Sequence, residues 1–198
     1  VFFMDLWVAL TLGVLVALGS FVYKTMYPRI VVLTRNPQSH TFVNAEREKL
    51  PECPQILYIR PNMPIYFANA EFVYEYIMEK LKQRKTKGSL KFLLIDMEAV
   101  NYIDSTGATA LTKLLTDIKK EGVEPALANI ACDVYPVLER IGIDKYVDTE
   151  LIFDSKGQSI VELFKRLDHE YCAKRCPYAV FKECYTVKPA DFKPVVSL

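Results

Sequence analysis

The sequence has little of several features that mark common functional classes. Its 198 residues include only seven glycines and two histidines, with no phosphate-binding sequence of the form G-x4-G-K followed by Ser or Thr. Its 25 basic and 24 acidic residues leave a net charge of +1. Nucleic-acid binders usually carry a basic surface that replaces condensed counterions, so this balance argues against such a partner. The missing motif argues against a Walker-type nucleotide site.

The five cysteines form no regular framework. An odd number without repeated spacing is typical of a reducing compartment rather than of a secreted, disulfide-bonded fold. Candidate zinc ligands near the C-terminus are His169, Cys172, Cys176 and Cys184. Their spacing matches no common zinc pattern, so we expect no metal and no other cofactor. The thiols are then scattered tail cysteines or a redox-labile pair.

One long segment contains no charge, from Leu6 to Tyr23. As a helix rising about 1.5 Å per residue, it would extend about 27 Å, enough to cross a hydrocarbon core. Trp7 lies near one end and Tyr23 at the other, as expected for interfacial aromatic belts. The sequence therefore predicts a transmembrane helix.

The flanks of this segment predict its orientation. Lys24, Arg29 and Arg35 follow it with no acidic residue among them. By the positive-inside rule, residues after about 24 are then cytosolic. A signal peptide and a buried soluble helix are the alternatives, but Asp5 before the segment argues against a signal peptide. Because the chain begins with Val1, we interpret it as the end of a longer membrane protein.

The remainder alternates between strand and helix patterns. Prolines punctuate residues 28–52, which read as a linker in which 30–33 could pair as a strand. Predicted strands cover 56–59, 65–68, 92–95, 126–128 and 151–153; predicted helices cover 69–84, 105–122, 134–141 and 160–167. This alternation predicts an α/β fold with amphipathic helices and a partly parallel sheet. Neighbouring strands 56–59 and 65–68 predict a hairpin, and therefore a mixed sheet.

The densest local motif lies between a predicted strand and a predicted helix. Asp104, Ser105 and Thr106 can each accept hydrogen bonds from N–H groups at a helix start, and Gly107 permits close backbone approach. The motif is an N-cap alone, or it carries a regulatory hydroxyl. A phosphate on Ser105 would add about −1.5 to −2 charges at the positive end of a helix. The same helix start could instead hold a nucleotide phosphate.

Hydrolytic chemistry at this motif would need a base beside Ser105. The two histidines, His40 and His169, lie in the predicted linker and on the last predicted helix. A serine nucleophile requires a positioned base within hydrogen-bond reach. We therefore expect no catalytic residue and no enzyme activity.

Three segments, in the same order, resemble sulfate-permease-type anion transporters, closest to the plant, algal or bacterial ones. The apolar segment leading into 27–33 is similar to the exit from their last membrane helix. Residues 64–70 are similar to the segment before the first helix of their STAS domain. Asp104 and Ser105 resemble the pair that carries the phosphorylated serine in bacterial anti-sigma-factor antagonists, which share the STAS fold.

This resemblance implies a STAS-type α/β fold preceded by one transmembrane helix. Residues 1–27 would end the last membrane helix, 28–52 would link, 53–170 would form the cytosolic STAS domain and 171–198 a C-terminal tail. The chain would be the regulatory and dimerisation region of a multi-pass secondary sulfate or anion transporter of the plasma membrane. Its partners would be the lipid bilayer, the membrane domain of the same transporter, a second copy and a kinase. The alternatives are a soluble phosphoserine-switched regulatory protein of the antagonist type and a nucleotide-binding regulatory domain.

Overall fold

The structure is a computed structural model that describes residues 2–86, 88–189 and 192. Its strands are β1 (Ile30–Arg35), β2 (Phe42–Asn44), β3 (Ile56–Pro61), β4 (Phe92–Asp96), β5 (Glu124–Ala128) and β6 (Ile152–Phe153). Its α-helices are α1 (Phe2–Met26), α2 (Ala45–Glu48), α3 (Ala70–Lys85), α4 (Ser105–Lys120), α5 (Tyr135–Arg140), α6 (Lys156–Lys165) and α7 (His169–Lys174). Short 3-10 turns cover 143–145, 149–151 and 182–186.

The strands form one mixed sheet with the order β2-β1-β3-β4-β5-β6. Strands β3, β4, β5 and β6 are mutually parallel, whereas β1 runs antiparallel to both of its neighbours. The predicted mixed α/β fold with amphipathic helices is therefore confirmed. Because the four parallel strands end at the same edge, the loops that follow them lie together at that edge.

The predicted hairpin between 56–59 and 65–68 is wrong. Strand β3 pairs with β1, and residues 65–68 form only an isolated parallel bridge between Ile65 and Ile103. Ile65 is buried and Phe67 is exposed, so the apolar pattern that predicted a strand does not face one core. Pro64 also removes a backbone donor from the start of this segment. Residues 62–69 are instead the β3–α3 loop, which crosses the edge of the sheet.

Residues 28–52, predicted as a linker, contain β1, β2 and α2. Val32 and Leu33 are buried, which confirms the strand predicted at 30–33. Pro28, Pro37 and Pro51 flank these elements rather than interrupt them. Part of the stretch between the long apolar helix and residue 53 therefore belongs to the sheet.

The core lies between the sheet and its helices. Leu93, Leu94 and Ile95 of β4 are fully buried, as expected for a strand covered on both faces. Helix α4 buries one stripe of its surface, as expected for an amphipathic helix: Leu111, Leu114, Leu115 and Ile118. It ends at Lys120, and Gly122 follows in a left-handed conformation with φ of 74°.

The segment after α6 packs against the opposite edge of the sheet, where β3 begins. The side-chain amide of Gln55 donates to the carbonyl of Asp168 at 3.0 Å and accepts from its N–H at 2.9 Å. Cys172, Phe181 and Cys184 are buried in the core. The described part of the predicted tail is thus folded onto the domain; residues 190, 191 and 193–198 lie outside the described residues.

Helix α1 differs from the other α-helices described because no residue from Asp5 to Met26 is buried. Within Asp5–Met26, an 18-residue window has a mean hydropathy of 2.1, and none of the residues in that window is buried. By length and composition it is long and apolar enough to cross a membrane.

Candidate functional site

The predicted motif lies where β4 leads into α4. Asp104, in an extended conformation, precedes the helix, and its Oδ1 accepts from the N–H of Gly107 at 2.7 Å. Its Oδ2 accepts from the N–H of Phe67 at 3.0 Å. One carboxylate therefore caps α4 and also holds the β3–α3 loop against it.

Gly107 allows this loop to approach the helix. A Cβ atom at this position would lie 2.3 Å from the carbonyl oxygen of Ile65, far inside van der Waals contact. The N–H of Ile65 donates to the carbonyl of Tyr102 at 3.1 Å. The close backbone approach predicted for Gly107 is confirmed, and its partner is the β3–α3 loop.

Ser105 and Thr106 occupy the first turn of α4, and both are exposed. Of the three polar residues predicted to cap the helix, only Asp104 does so. In the part of the chain that the structure describes, the Ser105 hydroxyl has no hydrogen-bond partner, while its carbonyl accepts from the Thr109 hydroxyl at 2.8 Å. Ser105 is accessible from solvent without any rearrangement of the backbone.

A shallow groove of about 400 Å³ runs beside Ser105 between α3 and α4. Its lining residues are Glu71, Tyr74, Ser105, Thr106, Thr109, Ala110 and Lys113. Lys113 lies over the Tyr74 ring, with Nζ 4.1 Å from its centre. The Tyr74 hydroxyl donates to Asp117 at 2.8 Å, and this hydrogen bond raises the pKa of Tyr74.

The charges at this helix start disfavour a bound phosphate. The Asp104 carboxylate already occupies the Gly107 N–H that a phosphate would need, and it carries the same sign of charge. Lys113 contacts Tyr74 on the α3 side instead of the helix start. These features weaken the nucleotide alternative without excluding modification of Ser105 itself.

The histidines and cysteines lie elsewhere. His40 is in the turn between β1 and β2, and His169 stacks on Phe164 at 5.1 Å between ring centres. All five cysteines are free thiols, and within the described residues no group of His, Cys, Asp and Glu could hold a metal ion. Burial raises the pKa of Cys53 to about 12 and that of Cys184 to about 11, so neither is a reactive thiolate at neutral pH.

Sequence reasoning missed a second carboxylate at the same edge of the sheet. Asp96, at the end of β4, is fully buried and accepts from Arg60 Nε at 2.9 Å and from Asn129 Nδ2 at 2.8 Å. Burial and the charge of Asp96 raise the pKa of Tyr58, which also contacts this carboxylate. The cluster ties together the ends of β3, β4 and β5. Its signal was a charged residue ending an otherwise apolar strand.

Asn69 precedes α3, at a position where asparagine commonly caps a helix. Its side chain makes no capping hydrogen bond with the helix. Its Oδ1 accepts from the N–H of Tyr66 at 3.0 Å, and its Nδ2 donates to the carbonyl of Pro64 at 2.9 Å. Nδ2 also lies 3.5 Å from the carbonyl of Thr25, near the end of α1. Asn69 therefore shapes the β3–α3 loop and connects it to the long apolar helix.

Residues 47–159 match the family described as STAS domain. The chain belongs to the STAS domain family. The resemblance in the Asp104–Ser105 motif and in the segment before α3 is thus supported over most of the folded region, and the STAS-type fold is confirmed.

Several curated proteins that are similar to this STAS-containing chain are named as sulfate transporters. Sulfate transporter 1.1 of Arabidopsis thaliana is 27% identical over 155 residues, covering 75% of this chain and 23% of that protein. The chloroplastic Sulfate transporter 4.1 of the same plant is 30% identical over 162 residues, covering 75% and 23%. The chain spans about a quarter of the length of these curated relatives.

A solved structure shares the fold over a similar range. The murine Solute Carrier 26 family member A9 anion transporter, in its inward-facing state, has a TM-score of 0.65 and 22% sequence identity. This similarity covers 77% of the STAS-containing chain and 25% of the murine chain. At this identity the likeness establishes a common fold.

Proposed function

We propose that this chain is the last membrane-spanning helix and the cytosolic STAS domain of a multi-pass secondary sulfate or anion transporter. Helix α1 crosses the bilayer, which we take to be the plasma membrane, and residues after about 24 lie in the cytosol. The transported anion binds between helices of the membrane domain, upstream of this chain. The STAS domain itself catalyses nothing and holds no cofactor.

The observation that carries this proposal is the junction between α1 and the STAS domain. No residue in the 18-residue apolar window of α1 is buried, and this helix continues, within a few residues, into the first strand of the sheet. In water such a helix would expose an apolar surface far larger than soluble monomers tolerate. Lys24 and Arg29 at its exit agree with a cytosolic STAS domain, and the relatives are named as sulfate transporters.

Membrane extraction of the expressed chain tests the proposal. After alkaline carbonate treatment, we expect the chain to sediment with the membranes. Replacing Val14 and Leu15 by arginine should move most of it to the supernatant, because each arginine at a helix centre costs about 2.5–3.5 kcal/mol of insertion. The matched control is Val161→Arg on α6, which is also an exposed apolar position. A wild-type chain that stays in the supernatant contradicts the proposal and favours the soluble phosphoserine switch.

The regulatory part of the proposal concerns Ser105. Its exposed hydroxyl, at the start of α4, would become a site of negative charge after action of a kinase. Two STAS domains of a homodimer would bring the transporter subunits together, and this surface would transmit the change to the membrane domain. In the complete transporter, Ser105→Glu should change anion uptake while Ser105→Ala should prevent regulation by phosphorylation. Unchanged uptake and protein level in both variants would contradict a switch at Ser105.

The nucleotide alternative is tested separately. A nucleotide bound in the α3–α4 groove would raise the melting temperature of the chain in detergent micelles by mass action. Because Asp104 already caps the helix start, we expect millimolar ATP or GTP to cause no shift. The substitution Thr109→Arg would fill the groove. A rise in melting temperature that is seen with the wild-type chain and lost with Thr109→Arg would overturn this expectation.

A further inference from the structure

Exposed apolar side chains are concentrated at one edge of the STAS domain. After Tyr27, the described large apolar side chains that are well exposed are Phe67, Tyr102, Tyr135, Val161 and Tyr185. The first three follow the carboxyl ends of β3, β4 and β5, which form a single edge. We call Phe67 and Tyr102 the aromatic edge.

The aromatic edge is held in place by the backbone. Phe67 is 74% exposed, yet its N–H donates to the Asp104 carboxylate at 3.0 Å. Tyr102 is 57% exposed, yet its carbonyl accepts from the N–H of Ile65 at 3.1 Å. Their rings therefore project from a fixed scaffold, and their exposure does not result from a loosely held loop.

The same edge lies next to the end of α1. Only residues 27–29 separate α1 from β1, and three residues span at most about 10 Å. Ile30 of β1 pairs with Pro61, at the carboxyl end of β3.

Side-chain contacts also connect the end of α1 with the β3–α3 loop and the start of α3. The Tyr27 ring packs edge-on against Phe72 with 5.2 Å between ring centres, and Asn69 reaches the carbonyl of Thr25 at 3.5 Å. A membrane crossed by α1 would thus lie within reach of the loop that carries Phe67.

We propose that Phe67 and Tyr102 insert into the phospholipid headgroup layer of the bilayer that holds α1. The inference rests on the proposed function, since it requires α1 to span that bilayer. The amphipathic ring of Tyr102 favours this layer, and the apolar ring of Phe67 suits the boundary between headgroups and acyl chains. The lipid phosphates would face Lys24 and Arg29 at the helix exit. The aromatic edge then fixes the tilt of the STAS domain against the membrane and places Ser105 beside the lipid phosphates.

Fluorescence quenching in lipid nanodiscs tests the contact with the full chain. Trp7 is the only tryptophan, so a Trp7→Phe background leaves the introduced one as the sole reporter. Phe67→Trp and Tyr102→Trp report on the aromatic edge, and Tyr185→Trp is the matched control, being 55% exposed in the segment at the opposite edge. The probe is phosphatidylcholine with a nitroxide on its headgroup.

We expect the nitroxide lipid to lower the fluorescence of the two edge reporters by about twofold or more, because rings at the membrane interface lie near the headgroups. The fluorescence of the control should fall only marginally. Equal quenching at positions 67, 102 and 185 overturns the proposal. A second outcome also overturns the proposal: the emission of the reporter at position 67 shifts only when two chains share a nanodisc, and the lipid does not quench it. A second copy of the chain would then cover the aromatic edge. Quenching of Trp7 in the wild-type chain tests the membrane span separately. If the nitroxide lipid does not quench Trp7, the proposed membrane span is wrong. If it quenches Trp7 but not the two edge reporters, only the proposed insertion of Phe67 and Tyr102 is wrong.

Discussion

The edge of the sheet at the amino ends of the parallel strands and the edge at their carboxyl ends differ in what covers them. At the amino ends of the strands, the segment after α6 folds back, and Gln55 pairs with the backbone of Asp168 through two hydrogen bonds. Phe181 is buried there at 2% exposure. At the carboxyl ends, Phe67 and Tyr102 stay exposed although their backbones are fixed. The chain thus covers one edge with its own residues and leaves two aromatic side chains exposed at the other.

This difference separates stability from interaction. Apolar area buried within the chain contributes to folding, whereas an apolar ring held outward by hydrogen bonds contributes little until something covers it. The edge that lies beside α1 is the uncovered one. Substitutions at the two edges should therefore affect different measurements.

The largest expected effect is at the covered edge. Phe181→Ala should lower the free energy of unfolding by about 3–5 kcal/mol, because it removes a buried ring and leaves a cavity. Phe67→Ala should lower it by less than about 0.5 kcal/mol, as for most exposed positions. Urea unfolding of the full chain in detergent micelles, followed by near-UV circular dichroism, measures both.

The matched variant Phe181→Leu should recover part of the loss by filling some of the cavity. Similar losses for Phe181→Ala and Phe67→Ala would remove the distinction between the edges.

The next effect is at the contact between the β3–α3 loop and α4. Gly107→Ala would place a Cβ 2.3 Å from the Ile65 carbonyl, so the loop must move away from the helix. We expect the free energy of unfolding to fall by about 1–3 kcal/mol, as in other overpacked sites. The same urea experiment measures it.

Gly157→Ala on α6 is the control, since nothing lies within 4 Å of its Cβ position. That variant should be neutral or more stable by up to about 1 kcal/mol, from helix propensity. Equal behaviour of the two glycines would show that the β3–α3 loop is not held against α4.

These two edges also differ in how far sequence patterns could predict them. Helix α1, the amphipathic helix α4 and the continuous apolar strand β4 were predictable because each rests on a local sequence pattern. The packed segment around Phe181 was not, because its cysteines and aromatics show no clear period and their burial depends on the amino edge of a sheet formed earlier in the chain.

The candidate site divides in the same way. A helix start at Asp104 and close approach at Gly107 follow from residue type and order. The hydrogen bond from Phe67 to Asp104 joins residues 37 positions apart and depends on the β3–α3 loop. Residues 65–68 form a short continuous apolar run like that of a buried strand, so this run predicted a hairpin where tertiary contacts form a loop.

Alkaline pH should destabilise the fold in part through the buried thiols of the covered edge. Burial raises the pKa of Cys53 from 9.0 to about 12 and that of Cys184 to about 11. Above pH 9 these thiols ionise in the unfolded chain but stay protonated in the folded one, so the unfolded state gains stability as pH rises. Between pH 8 and pH 10 we expect each to reduce the free energy of unfolding by about 1 kcal/mol.

Urea unfolding at the two pH values measures this loss, and Cys53→Ala should make it smaller. Cys132→Ala, at an exposed thiol, should leave the loss unchanged. If Cys53→Ala and Cys132→Ala behave alike, the buried thiols do not cause the alkaline sensitivity.

The smallest effect on stability is expected for substitution of Ser105. The same substitution gives the sharpest test of the uncovered edge, which carries the aromatic edge. Because its side chain is exposed, Ser105→Glu should change the free energy of unfolding by less than about 0.5 kcal/mol. The added carboxylate would nevertheless lie beside Asp104 and face the lipid phosphates proposed for the aromatic edge.

In nanodiscs that contain phosphatidylserine, we therefore expect Ser105→Glu to reduce headgroup quenching of the Phe67→Trp reporter. Ser105→Gln introduces a side chain of the same shape as glutamate but without its charge, and it should leave the quenching unchanged. If glutamate and glutamine reduce it equally, side-chain size displaces the edge, and charge on Ser105 does not control membrane contact. If only glutamate acts, a phosphate on Ser105 would loosen the open edge while the covered edge keeps the STAS domain folded.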